Sequence, residues 1–138
     1  MSVALEEARR SGERGEVPVG AVLVRDGVVL AKAGNRMRET GDPTAHAEML
    51  AIREVGSERL PGTDLYVTLE PCTMCAAAIS FARIRRLYFG ATDPKGGAVD
   101  SGVRFFDQAT CHHAPEVYGG IAEREAGEML RAFFKTRR

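Results

Sequence analysis

The chain has 138 residues, 44% of them hydrophobic and 28% charged, the profile of a single globular domain that buries a core without disulfide staples. Nineteen Lys and Arg balance nineteen Asp and Glu, so no molecule-wide field draws in nucleic acid, and any such binding must come from local clusters. Three cysteines is an odd count for a disulfide scaffold, no run of about 18 apolar residues can cross a bilayer, and the opening segment lacks the apolar core of a secretion signal. The expectation is a soluble protein of a reducing, cytoplasmic compartment.

Ser2 is a fair N-cap for a short helix to about Ser11, with Gly12 as its stop. Val19 to Val24 and Val28 to Ala33 are β-rich runs around Asp26-Gly27, the strongest hairpin signal in the chain. A polar loop over residues 34–43 contains Asn35. Thr44 then caps a helix to about Val55, with Met49, Ile52 and Val55 on one face and Gly56 beyond. Leu65 to Leu69 reads as a strand that delivers the chain to Pro71, a residue suited to a helix start. From Cys72 to about Phe81 the residues are small and apolar, as in a buried helix. Leu87 to Phe89 is a further strand, residues 91–102 form a Gly-rich loop of the kind that lines a site, and Glu116 to Tyr118 is a short fifth strand. The last helix, Ile121 to about Lys135, carries Ala122, Ala126, Met129, Leu130 and Phe133 on one stripe, with Gly127 costing roughly 1 kcal/mol. Strands alternating with helices after an opening hairpin predict an α/β fold, a three-layer α/β/α sandwich around a mixed five-stranded sheet. Residues 1–138 form one domain, and two helix N-termini meet at an edge of that sheet.

Those helix starts carry the chemistry. Pro71-Cys72-Thr73-Met74-Cys75 places two thiols three residues apart, and His46 in Ala45-His46-Ala47-Glu48 adds an imidazole. A His/Cys/Cys set suits zinc, and three protein ligands are typical of a catalytic site that keeps one position for water. Glu48 has the reach to move that water's protons. Because residues i and i+2 do not share a helix face, His46 and Glu48 are expected to approach the ion from opposite sides of the first turn. A redox-active C-x-x-C and a closed structural zinc site completed by Cys111, His112 or His113 are the plainer alternatives. Arg83, Arg85, Arg86, Lys135, Arg137 and Arg138 are either phosphate contacts or solvated charges, and Phe133 and Phe134 are read as core.

The pairing of H-x-E with P-C-x-x-C resembles the signature of zinc nucleobase deaminases. Nearly the whole chain resembles the bacterial tRNA-specific adenosine deaminases, of the cytidine deaminase-like fold. The matching pieces include residues 16–24, Gly34-Asn35-Arg36, residues 42–48, residues 65–72, Phe89-Gly90-Ala91, and Asp93 with Lys95-Gly96-Gly97-Ala98. The resemblance implies one Zn2+ per chain on His46, Cys72 and Cys75, with Glu48 as proton shuttle. It implies that Asn35 hydrogen-bonds the target base, that Val19 and Ala45 line the pocket, and that Asp93 and Lys95 contact a tRNA anticodon stem-loop. The implied reaction converts the wobble adenosine to inosine, and the implied assembly is a homodimer. Met37 stands where some members carry Pro. A free-base deaminase acting on guanine or cytosine, and a non-catalytic zinc-stabilised RNA-binding subunit, remain alternative readings.

Overall fold

The computed structural model describes residues 1–137. The elements are α1 (Ser2–Glu13), β1 (Gly20–Arg25), β2 (Val28–Gly34), a one-turn α2 (Met37–Thr40), α3 (Ala47–Val55), β3 (Asp64–Leu69), α4 (Thr73–Phe81), β4 (Arg86–Ala91), a 3-10 turn (Phe105–Asp107), β5 (Glu116–Tyr118) and α5 (Glu123–Thr136). They build a five-stranded sheet in the order β2-β1-β3-β4-β5. β1 runs antiparallel to both β2 and β3, whereas β3, β4 and β5 are parallel. The sheet is therefore mixed, as expected.

The hairpin follows from Asp26 and Gly27, both left-handed at φ 50° and 76°, the pairing that lets a two-residue turn match strand twist. Ala21 and Leu23 of β1, with Leu65 and Val67 of β3, pack on Ala47 and Ala51 of α3 and Ile79 of α4 in one core cluster. On the other face lie α1 and α5, which contact each other and the sheet. Both faces are thus covered, giving the α/β/α sandwich.

How closely α1 lies is set by two glycines paired across the hairpin, Gly20 and Gly34. A Cβ on Gly20 would come within 2.0 Å of the Ala4 carbonyl oxygen, and one on Gly34 within 2.7 Å of the Glu7 carbonyl oxygen. Backbone rests on backbone there, and neither side can yield. Gly20→Ala is expected to destabilise the domain by about 3 kcal/mol, the upper range of overpacking, read as a lowered urea midpoint with an unchanged slope.

Several element boundaries differ from the sequence expectation, among them the start of α5, which falls at Glu123 and not Ile121 because Ala122 is left-handed at φ 57°. Helix α1 starts at Ser2 with Met1 as its N-cap, and it runs through Gly12 to Glu13. Helix α3 begins at Ala47 and not after Thr44, because the Asp42 carboxylate takes both the Thr44 N–H and hydroxyl, at 2.8 and 2.7 Å. The turn α2 interrupts the expected loop because the buried Glu16 carboxylate accepts the N–H groups of Arg38 and Glu39, at 3.1 and 2.8 Å. Phe133 is half-buried, whereas Phe134 is 49% exposed, so the adjacent pair splits between inside and outside.

Candidate active site

The metal-binding segments meet at the carboxyl end of β3, beside the start of β1 and the end of β2. Strand β3 is the middle strand of the sheet, so the site lies at the strand ends and not along a sheet edge. Asn35 organises this corner. Its Oδ1 accepts the Ala47 N–H at 2.8 Å and its Nδ2 donates to the Val17 carbonyl at 3.2 Å. A side chain after β2 thereby caps α3 and ties it to the segment entering β1.

His46 precedes α3 in extended conformation (φ −75°, ψ 151°), and Cys72 precedes α4 in the same way (φ −74°, ψ 176°), with Cys75 in the first turn. Because His46 stands outside the helix and Glu48 inside it, the expected wrap around opposite sides of one turn is not needed. His46 Nδ1 lies 3.6 Å from Cys72 Sγ and 3.5 Å from Cys75 Sγ. The three donor atoms lie within 4.8 Å of one another, the sole such group of His, Cys, Asp or Glu among the described residues. Zinc–nitrogen and zinc–sulfur bonds of about 2.1 and 2.3 Å at a tetrahedral angle place N and S roughly 3.6 Å apart. The donor spacing therefore fits a zinc ion.

The other possible ligands are occupied elsewhere. Cys111 Sγ meets Ser80 Oγ at 3.5 Å and the His113 carbonyl at 3.3 Å; His113 Nε2 meets the Ile84 carbonyl at 2.8 Å; His112 is exposed.

Electrostatics at the cluster favour a cation. The hydrogen bond from Cys75 holds the Cys72 thiol down to about 4, against its burial, with His46 assisting. The same hydrogen bond, together with burial, pushes Cys75 well up. A divalent ion would take the place of the proton between the two sulfurs and hold both as thiolates. His46 is raised, first by its bond to Cys72. Glu48 is 4% exposed, and burial pushes its carboxyl up to about 7, the hydrogen bond from its own backbone opposing.

A cavity of about 270 Å³ joins these groups. Val17, Val19, Asn35, Met37 and Leu69 line it together with His46, Glu48, Glu70, Cys72, Asp93 and Gly96. It adjoins a groove of about 1000 Å³ that shares Val17, Leu69 and Asp93 and adds Lys95, Arg131, Phe134, Lys135 and Arg137. Of the residues expected at the pocket, Val19, Asn35 and Asp93 line the cavity, and Lys95 lines only the groove. Ala45 lines neither. It is 1% exposed, and its carbonyl accepts the Arg36 N–H at 3.0 Å, so it is packed behind the wall.

Among the basic residues, Lys135 and Arg137 line the groove, with the Arg137 guanidinium 4.4 Å over the Phe133 ring. Arg138 lies outside the described residues. Arg85 and Arg86 pair with Asp64 and Glu116 at 3.1 and 2.9 Å, at the opposite ends of the strands from the cavity. Sequence reasoning gave no role to the buried carboxylates of Glu16 and Glu70, although each follows or precedes an apolar strand segment, which is itself a signal of a satisfied interior acid.

A mixed sheet between helix layers, with a His/Cys/Cys cluster at two helix starts and a buried carboxylate beside it, sets the class: the zinc-dependent deaminases. Residues 1–91 match the family described as the cytidine and deoxycytidylate deaminase zinc-binding region. Curated proteins called tRNA-specific adenosine deaminase are similar over the whole chain. The one from Agrobacterium fabrum is 70% identical, covering 100% of this chain and 93% of its own, and that from Bacillus subtilis is 47% identical, covering 100% and 88%. A structure solved in a study of A-to-I editing by tRNA:A34 deaminases is 71% identical, with a TM-score of 0.92 over 94% of this chain and 97% of that one. A guanine deaminase from Nitrosomonas europaea shares the fold at 21% identity, with a TM-score of 0.76 over 96% and 81%. The chain belongs to the tRNA-specific adenosine deaminases.

Proposed function

We propose that this chain is a single zinc-dependent deaminase domain that hydrolyses the wobble adenosine of a tRNA anticodon stem-loop to inosine and ammonia. The observation that carries the reading is the three-donor cluster, with the buried Glu48 lining the same cavity. His46, Cys72 and Cys75 would hold one zinc ion, which when bound would supply the Lewis acidity that makes water a nucleophile near neutral pH. Glu48 takes one proton of the attacking water and passes it to the ring nitrogen next to the amine-bearing carbon; it then takes the second proton from the added oxygen and delivers it to the departing amine, which leaves as ammonia while the carbonyl forms. Val19, Leu69 and Met37 shape an apolar slot for the base. Asn35 has both side-chain groups engaged, yet its amide keeps a second hydrogen for a ring acceptor.

The larger groove favours a polymer over a free base. A lone purine needs only the cavity, whereas flanking nucleotides need cations and a stacking surface. Lys95, Arg131, Lys135 and Arg137 supply the first and the exposed Phe134 the second. An anticodon loop suits such a site because its bases are already unpaired and cost little to extrude. Such a substrate also accords with a cytoplasmic location; among the described residues no helix is long and apolar enough to cross a membrane. Phe81 on α4 and Val103 are each exposed, at 71% and 51%, and a homodimer is the assembly in which a second copy would cover such side chains.

Ammonia release from a stem-loop carrying adenosine at the wobble position, set beside free adenine, guanine and cytosine, tests the reading on zinc-loaded protein. Turnover of the stem-loop that weakens steeply with salt is expected. Faster turnover of a free base would replace this reading with a small-molecule deaminase, and zinc binding with no turnover of any substrate would leave an RNA-binding subunit.

A further inference from the structure

Glu70 directly follows β3, two residues before Cys72, and it is 2% exposed. Its carboxylate accepts five hydrogen bonds. Oε1 takes the Asp93 N–H at 2.9 Å and the Ser101 hydroxyl at 3.0 Å. Oε2 takes the N–H groups of Val99, Asp100 and Ser101 at 3.0, 2.9 and 2.9 Å. A carboxylate offers about four lone-pair sites, so five donors leave nothing with which to address a substrate, a proton or an ion. Every donor comes from the one connection between β4 and the 3-10 turn, a stretch without helix or strand of its own.

The two oxygens divide that loop. Oε2 gathers the three successive amides of residues 99–101. Oε1 holds Asp93, which stands on the wall common to the cavity and the groove. Asp93 in turn organises the residues after it. Its Oδ1 accepts the N–H groups of Lys95 and Gly96 at 3.2 and 3.0 Å, and its carbonyl accepts that of Gly97 at 2.8 Å. Gly97 lies so close that a Cβ there would fall 2.5 Å from Glu70 Cδ. The position of Asp93, Lys95 and Gly96 is therefore referred to Glu70 Oε1, a point fixed by the strand that leads to the metal cluster.

We propose that Glu70 is a positioning residue: through Oε1 and Asp93 it holds the loop wall over which the RNA passes, and so sets affinity for the stem-loop without entering the chemistry. The inference rests on the proposed RNA substrate. Groups that bind ground state and transition state alike show in KM and not in kcat.

Glu70→Gln separates the two oxygens. Three N–H donors keep the remaining amide oxygen at the Oε2 position, so the new NH2 group faces the Asp93 N–H donor to donor, while the Ser101 hydroxyl can turn to accept. Amide exchange is expected to quicken at Asp93 and to stay slow at 99–101. Zinc content stays unchanged, kcat stays within about twofold, and KM for the stem-loop rises about tenfold, the scale of one lost hydrogen bond to a charged group. Gly97→Ala, which pushes the loop from the other side, is expected to raise KM comparably, and the double variant to do no more than the worse single. Wild-type protein that turns over the stem-loop, beside a Glu70→Gln protein whose KM is unchanged or whose loss lies in kcat, would overturn the inference. If Glu70→Gln does not fold, an unchanged KM in Gly97→Ala overturns it equally. Wild-type protein that leaves the stem-loop untouched refutes the proposed substrate instead.

Discussion

Replacing Glu48 with Ala is expected to leave the zinc content and the fold in place while deamination falls by about 10³-fold, within the range for loss of a general acid–base. The carboxylate lies outside the three-donor group, so its loss removes no ligand. It also lies 4% exposed in the first turn of α3, where burial raises it to about 7. A group that costs energy to ionise in place is not there to stabilise the domain. Truncating it to Ala, a good helix former, should leave the melting temperature unchanged or raised. A carboxyl poised near 7 also suits a task that requires accepting and returning a proton at neutral pH. Metal analysis, a thermal melt and ammonia release decide the matter together. Residual turnover within tenfold of wild type would remove Glu48 from the proposed role, and loss of zinc would make it a ligand.

Cys72→Ala is expected to have the second large effect, on stability as well as activity. The three donors come from two separate segments, the start of α3 and the start of α4, which strands β3 and the intervening loop connect. An ion shared between them joins the helices directly, and its binding energy counts toward folding. At a free zinc level a thousandfold above its dissociation constant, losing that linkage costs about 4 kcal/mol, or roughly 10–15 °C in melting temperature for a domain of this size. A chelator should reproduce the drop in wild-type protein and leave the variant unmoved. Acid should act the same way, because both sulfurs and the imidazole have to shed protons to bind. Cys111→Ser, in contrast, should keep both metal and melting temperature, since that thiol meets only Ser80 and the His113 carbonyl. A variant at Cys72 that retains zinc would exclude this thiol as a ligand.

Much of this architecture is legible in the residues, and the limit is physical. Strand positions, the Asp26-Gly27 turn and the end of α3 at Gly56 are local matters, set by side-chain alternation and left-handed backbone, and they fall where the sequence puts them. The ligand set is local too, since two helix starts need only short motifs. What escapes a linear reading is every feature fixed by a partner distant in the chain. The α2 turn depends on Glu16, which lies more than twenty residues earlier, and the cap of α3 comes from Asn35 after β2 and not from the adjacent Thr44. The loop after β4 reads as Gly-rich and polar, but five of its hydrogen bonds go to the Glu70 carboxylate, more than twenty residues before it. Ala45, which the resemblance implies lines the pocket, is 1% exposed, and its carbonyl accepts the Arg36 N–H.

The contact between α1 and the glycine pair has a consequence for variation along the chain. Where main chain lies against main chain, hydrophobicity ceases to be the criterion for what is tolerated, and size alone remains. Ala4, Ala8 and Ser11 on the inner side of α1 lie completely covered, so a larger apolar residue there is as damaging as a polar one. Since β1 starts beside Asn35 and Val19, a helix lifted by one methyl group would tilt the floor under the base. Substitutions a dozen residues or more upstream of the metal cluster can therefore alter catalysis without touching it.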